Sequence, residues 1–136
     1  MFEILEHPAD IGFRAYGDSL AGLFESSAVA LLSIACEIGN VMPRIEYAIC
    51  AEGHDHESLL VNWLNAVLYW FDGARIAFRN FRVTDVTSTS ISAIALGEPW
   101  ENTSHRAKLI VKAVTWHQLK VVQSDCRWMA EVYLDI

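Results

Sequence analysis

The sequence has few cysteines and no long apolar run, and each shortage excludes a class of protein. Its 136 residues include three cysteines, Cys36, Cys50 and Cys126, an odd number that offers no paired disulfide framework. Reduced thiols in a cytoplasmic protein are therefore expected. No apolar stretch approaches the roughly 20 residues needed to cross a bilayer, and the first residues lack the basic and apolar regions of a signal peptide. We expect neither a membrane span nor a signal peptide.

Basic residues are also scarce. Ten lysines and arginines stand against 17 aspartates and glutamates, which gives a formal net charge of −7. A protein that binds a nucleic-acid backbone strongly needs a basic face, so we expect no strong direct contact with nucleic acid. An acidic surface instead favours cations or a basic partner surface.

The apolar content is sufficient for one folded domain. Hydrophobic residues make up 53% of the chain, slightly above the usual value of about 45–50%. The length is typical of a single domain, and no repeat or linker divides the chain. Residues 1–136 are therefore predicted to form one domain.

Two helices are predicted from apolar residues at helical spacing. The first runs from Leu20 to Ala35 and has Asp18 or Ser19 available as its N-cap. The second covers about residues 57–71, with Asp55 as its cap. It is apolar almost all round, so it is predicted to be the more buried helix.

The remaining segments are predicted to be strands because they alternate or are rich in β-branched residues. The predicted strands are residues 2–6, 11–16, 45–52, 78–86, 90–96, 107–117, 119–123 and 127–136. In the last of these, Trp128, Val132 and Leu134 share one face. The pattern predicts an α+β fold with a mixed, largely antiparallel sheet and two helices packed on one face. The strand order stays open.

The hexapeptide from His7 to Gly12 is predicted to bend the backbone near the start of the chain. Pro8 removes a backbone donor and disfavours helical geometry at His7, whereas Gly12 permits a backbone conformation or close approach that a larger residue would resist. Asp10 is thus presented by a bent backbone, which makes it a candidate ligand for a hard cation. The alternative is that Asp10 caps a turn through its own backbone.

The last two residues are the second candidate. The sequence ends at Ile136, so a terminal carboxylate is expected beside the side chain of Asp135. Two negative groups held one residue apart repel each other, and a divalent cation would relieve that repulsion.

Blocks distributed over the whole chain resemble the archease family. In order, they are HPADIG, AYGDSLAGLFESSAVA, LLVNWLNAVLYWFD, GEPWENTSH, VKAVTWHQL and LDI. The resemblance implies a small cytoplasmic α+β protein that assists an RtcB-type RNA ligase in tRNA splicing and RNA repair. In that family the protein is not itself the enzyme, but promotes guanylylation and turnover of the ligase with GTP and a divalent metal.

The resemblance also implies a metal site on Asp10, Asp135 and Ile136, the last through its main-chain terminal oxygen. Ligands that are all oxygen favour calcium or magnesium over zinc. Calcium is the expected ion, and magnesium and manganese are the alternatives. The strands that carry Asp10 and Asp135 must then lie close together in the sheet.

Within the resembling blocks, the sequence departs from the family pattern at two positions and offers two further candidate functional residues. Pro8 stands where the family usually has threonine, and Ala66 replaces an acidic residue often found in the second helix. His105 is a candidate to donate to a phosphate, to orient a carboxylate, or to be a structural histidine. Lys112 either faces the acidic groups as their counter-charge or is solvated at a strand edge.

Two other functions stay open from sequence. A metal-dependent phosphoester hydrolase would polarise a phosphate at an incompletely filled cation site and would turn over substrate by itself. A chaperone-like binding module would hold apolar segments through its aromatic residues and would need no metal. The surface that contacts the ligase and the oligomeric state are not determined by the sequence.

Overall fold

The computed structural model describes residues 1–6 and 10–136, so the predicted bend at His7, Pro8 and Ala9 lies outside the described residues. The described part contains helices α1 (Leu20–Ala35) and α2 (His56–Leu68). Its strands are β1 (Phe2–Glu6), β2 (Asp10–Gly17), β3 (Ile45–Glu52), β4 (Ile76–Val86), β5 (Ser90–Pro99), β6 (Ala113–Val114), β7 (Lys120–Ser124) and β8 (Arg127–Asp135).

The strands form two antiparallel sheets. The first has the order β1-β2-β8-β6, with β7 also paired to β8, and the second has the order β3-β5-β4. The predicted α+β class with largely antiparallel pairing is confirmed. The expected single mixed sheet is instead divided in two, and every strand pairing between described residues is antiparallel. Alternation identifies a strand but not its partner, which is why the division was not predicted.

Each helix contacts strands of both sheets rather than one face of a single sheet. Helix α1 packs on β2 and β8 of the first sheet and on β4 of the second, while α2 packs on β3 and also reaches β6 and β7. The buried indole of Trp63 on α2 donates to the carbonyl oxygen of Phe24 on α1 at 3.0 Å. The helices and the inner faces of both sheets therefore share one hydrophobic core.

The ends of the helices follow the predicted caps. The Ser19 side chain accepts from the Gly22 N–H at the start of α1, and Asp55 and Ser58 form a reciprocal capping box at the start of α2. Helix α2 is shorter than predicted, because residues Tyr69–Gly73 form a short π-helix instead of a further α-helical turn.

Two strand predictions were wrong. Residues 97–99, predicted as the start of a loop, continue β5 and pair with β4. Of residues 107–117, only Ala113–Val114 form a strand. In the rest of this segment Val111 is buried, whereas Leu109, Ile110 and Trp116 are exposed.

The three cysteines are free, and only Cys36 is buried. Burial raises the pKa of the Cys36 thiol to about 11, so this group stays protonated at neutral pH. Neither described helix has the length and apolar character needed to span a membrane.

Gly97 allows β4 and β5 to approach closely, and this predicts a stability defect. A Cβ atom at Gly97 would overlap the Ala77 carbonyl oxygen and lie 2.8 Å from the Cα of Phe78. We expect Gly97→Ala to lower the free energy of unfolding by about 1–3 kcal/mol, measured by urea denaturation followed by circular dichroism.

Gly39→Ala is the matched control. No atom lies within 4 Å of a Cβ built at Gly39, so we expect a change below about 0.5 kcal/mol. Equal stability of the two variants would contradict the packing argument at Gly97.

Candidate functional site

The register of β2 against β8 brings the two predicted metal-binding aspartates together. The strands pair antiparallel, with Asp10 opposite Asp135 and Ile11 opposite Leu134. Directly opposed residues in such a pair project to the same face, with Cβ atoms typically about 4.5–5.5 Å apart. Asp10 and Asp135, called the aspartate pair from here on, therefore present their carboxylates on one face at the end of the sheet.

Burial of the alternate residues sets this register. Ile11 and Phe13 on β2 and Val132 and Leu134 on β8 are buried. The predicted alternation of the last strand is not seen in its burial, because Glu131 and Tyr133, on the face that carries Asp135, are buried as well as Val132 and Leu134. Asp135 is exposed because it lies at the end of the strand, beyond the buried residues.

Gly12 makes room for an aromatic ring beside the aspartate pair. It lies opposite Tyr133, and a Cβ atom at Gly12 would be 2.6 Å from the Tyr133 ring. The expected close approach is therefore confirmed, whereas Gly12 does not adopt a positive φ. Burial raises the pKa of the Tyr133 hydroxyl, and the negative charges of Glu131 and Asp10 raise it further.

A segment on the other side of β8 holds the main chain of Asp135. The Lys112 N–H donates to the Asp135 carbonyl oxygen at 2.8 Å, and Ala113 lies opposite Asp135 in the β6–β8 pairing. The main chain of the exposed Lys112 therefore lies beside that of Asp135, on the side of β8 opposite to Asp10.

The aspartate pair and Lys112 differ from the neighbouring Arg14 in their ion pairing within the described residues. On the same face of β2, Arg14 donates to Glu131 at 2.7 and 3.1 Å and lies 3.6 Å from Glu3. Among residues 1–6 and 10–136, neither the aspartate pair nor Lys112 forms an ion pair. Two carboxylates and one ammonium group thus remain available to a ligand or a partner.

The oxygen atoms at this position suit a hard cation but are too few to surround one. Within the described ranges, no three His, Cys, Asp or Glu side chains are grouped so that they could hold a metal ion. The aspartate pair and a main-chain oxygen of Ile136 would supply three oxygen ligands, whereas calcium takes about 6–8. The remaining ligands would have to come from water or from a bound partner.

His105 is buried and orients a carboxylate. Its Nδ1 accepts from the Glu101 N–H at 2.8 Å, and its Nε2 lies 2.8 Å from Oε2 of Glu98. Because Nδ1 is an acceptor, the proton of the neutral ring is on Nε2, which donates to Glu98. Both ring nitrogens are engaged in hydrogen bonds, and the described contacts of His105 do not include the aspartate pair.

Glu98 is the centre of a polar cluster that sequence reasoning missed. Besides His105, its carboxylate accepts from the Met42 N–H at 2.9 Å and from Nε of Arg44 at 2.7 Å. The Met42 N–H, followed by Arg44 and His105, lowers the pKa of Glu98 to about 2. A glutamate that directly follows the largely apolar run Ala93–Gly97 was the available signal, but the prediction of a loop at 97–99 concealed it.

The structure describes only one of the two positions at which the sequence departs from the family pattern. Pro8 lies outside the described residues. Ala66 is half-buried and packs against the core of the protein. At this position α2 therefore contributes packing and no charge.

Comparisons with known proteins place the whole chain in one group. The model of the Archease protein family matches residues 2–136. Protein archease of Methanosarcina acetivorans is 39% identical, over 99% of this chain and 95% of that protein. Protein archease of Pyrococcus abyssi is 38% identical, and that of Sulfolobus acidocaldarius is 32% identical, each over 99% of this chain and 98% of the relative.

A solved structure also matches the chain along its length. The solution structure of Methanobacterium thermoautotrophicum protein 1598 is similar with a TM-score of 0.82 and 28% sequence identity. The match covers 99% of this chain and 98% of that one.

The lowered pKa of Glu98 predicts a specific pH dependence of stability. A carboxyl group whose pKa falls from about 4.5 in the unfolded chain to about 2 in the folded protein stabilises the fold above pH 4.5. That contribution is lost as the pH falls from 4.5 to 2. We expect Glu98→Gln to lower the free energy of unfolding by about 1–3 kcal/mol at pH 7, and the difference from the native sequence to shrink as the pH approaches 2.

Urea denaturation at pH 7, 4.5 and 3 measures this difference, and Glu101→Gln in the following loop is the matched control. Glu101 is exposed, so its amide variant should match the native sequence at each pH. A Glu98→Gln defect that does not depend on pH would show that the ionised carboxylate is not the stabilising form.

Proposed function

The chain belongs to the archease family, and we propose that it is a metal-binding accessory protein that activates an RtcB-type RNA ligase. In this proposal it promotes guanylylation and turnover of the ligase in tRNA splicing and RNA repair. It acts in the cytoplasm and is not itself an enzyme. The observation that supports the proposal best is the β2–β8 register, which puts Asp10 directly opposite Asp135.

Asp10, Asp135 and the main-chain oxygen of Ile136 would hold the cation. Calcium is the proposed ion, with magnesium and manganese as alternatives, because all three ligands are oxygens. A bound divalent cation would supply positive charge to phosphate oxygens of the nucleotide. The aspartate pair has no competing ion pair among the described residues, so both carboxylates are available for this role.

Lys112 would supply positive charge from the protein itself. Its ammonium group is exposed, and lysine binds phosphate as a point charge. Its N–H is bonded to the Asp135 carbonyl oxygen, so the backbone keeps the two residues adjacent before any partner arrives. Such preorganisation reduces the ordering that binding would otherwise require.

The charge of the whole chain supports a protein partner more than direct RNA binding. A net charge of −7 repels a phosphate backbone but attracts a basic protein surface. The ligase is therefore the proposed contact, and the RNA is expected to reach this protein only through the ligase.

The hydrolase alternative has less support. A general base must lie within hydrogen-bond reach of the water that it activates. His105 is buried, and both of its ring nitrogens are already engaged with Glu98 and Glu101. His105 is therefore not available as that base.

The proposed function predicts a selective effect of amide substitutions in the aspartate pair. Asp10→Asn and Asp135→Asn each remove a charged oxygen ligand, so we expect each to reduce the stimulated rate of ligase guanylylation by about tenfold or more. The measurement is transfer of labelled GMP from GTP to the cognate ligase. Calorimetric titration with calcium, in parallel, reports cation binding without the ligase.

Asp85→Asn is the matched control, because Asp85 is an exposed aspartate on β4 of the other sheet. This variant should stimulate the ligase normally. Normal stimulation by both aspartate-pair variants would refute the metal-centred account. Phosphoester turnover by the isolated protein would favour the hydrolase instead.

A further inference from the structure

Arg14 lies on the same face of β2 as Asp10, four residues further along the strand. Residues at this separation have Cα atoms about 13 Å apart. An arginine and an aspartate side chain bridge that distance when they lean toward each other along the strand. Among the described residues Arg14 instead pairs with Glu131 and Glu3, and Asp10 has no ion pair. Some feature of the site therefore keeps these two opposite charges apart.

The ring of Tyr133 occupies the space between Asp10 and Arg14. Tyr133 lies opposite Gly12, which is the residue midway between the two charges on the same face of β2. A Cβ atom at Gly12 would be 2.6 and 2.7 Å from the Cδ1 and Cε1 atoms of the Tyr133 ring. The ring thus fills the position that a side chain at residue 12 would take, and it blocks the direct line along the strand.

The surroundings of Tyr133 hold its ring in this position. The residue is 4% exposed, and its ring meets the His117 ring at an angle of 64° with the centroids 5.9 Å apart. The hydroxyl and the N–H of Thr115 both donate to the Tyr133 carbonyl oxygen at 3.0 Å. Displacing a buried ring with fixed neighbours would expose apolar surface to water. Tyr133 is therefore a rigid barrier.

A buried carboxylate holds Arg14 on the far side of this barrier. Glu131 is 7% exposed, and its Oε1 accepts from Nε and Nη2 of Arg14 at 3.1 and 2.7 Å. Burial is the main cause of the raised pKa of Tyr133, and the charge of Glu131 raises that pKa further. The charge of Arg14 lowers it, and that of Asp10 raises it. The Tyr133 hydroxyl is therefore within electrostatic range of the charges on both sides of the ring.

We propose that Tyr133 is a positioning residue of the cation site, whose ring keeps the Arg14 guanidinium away from the Asp10 carboxylate. The inference rests on the proposed function, in which the aspartate pair holds a divalent cation. An arginine that reached Asp10 would neutralise one of the two ligand charges and compete with the cation for its oxygens. The ring blocks the approach of Arg14 while Glu131 pairs with it, so the aspartate pair stays available to a cation.

Calorimetric titration with calcium, without the ligase, tests the inference through a double-substitution cycle. Tyr133→Val removes the ring and keeps a residue type suited to a strand. We expect it to weaken calcium binding about threefold, the size of effect that a competing ion pair at a protein surface produces. Arg14→Gln should then strengthen calcium binding about threefold more in Tyr133→Val than in the native sequence. A ring that served only to stabilise the fold would leave the two effects independent.

Control variants separate the barrier from other effects of the substitutions. Tyr133→Phe keeps the ring and should bind calcium like the native sequence. Lys120→Gln, added to Tyr133→Val, removes the same charge from the position opposite Glu131 on β7, across β8 from Arg14. It should not restore the affinity. Circular dichroism shows that each variant is folded, and Tyr133→Leu replaces Tyr133→Val in the cycle if the valine variant is not.

A crystal structure of metal-free Tyr133→Val is the second measurement, and it does not depend on calcium binding. We expect the Arg14 guanidinium within about 4 Å of the Asp10 carboxylate. Equal effects of Arg14→Gln in both backgrounds, with Arg14 still on Glu131 in the crystal, would overturn the inference and leave the cation site intact. A native protein that binds no calcium would instead contradict the cation site. The position of Arg14 in the crystal would then decide by itself whether the ring separates the two charges.

Discussion

The pairing of β2 with β8 is the interaction on which both the fold and the candidate site depend. Its register buries Ile11 and Leu134 in the core and, through the same alternation, presents Asp10 and Asp135 together on the other face. A slip of one residue would exchange the two faces of each strand. The free energy gained by burying apolar side chains therefore holds two carboxylates together in spite of their repulsion. The partners of β8 on its other side then fix the backbone next to Asp135.

The acidic groups of Glu98 and of the aspartate pair have very different surroundings. Glu98 is nearly buried and receives donors from Met42, Arg44 and His105, so its charge contributes to stability. The aspartate pair has no ion-pair partner among the described residues and lies where the solvent reaches Asp135. Repulsion between two close carboxylates costs stability locally, and a bound cation would remove that cost. The contrast separates a cluster that holds the fold together from groups that are free to bind.

The sequence by itself determined the features that depend on near neighbours. The caps at Ser19 and Asp55 and the apolar faces of both helices follow from local spacing and side-chain chemistry. The meeting of Asp10 with Asp135 was implied by the family resemblance and not by spacing, because the two residues lie at opposite ends of the chain. Only the tertiary structure decided the division into two sheets and the burial of Glu98 within β5. Each of these depends on which distant segments pack together, and long-range packing leaves no periodic signal in the segments themselves.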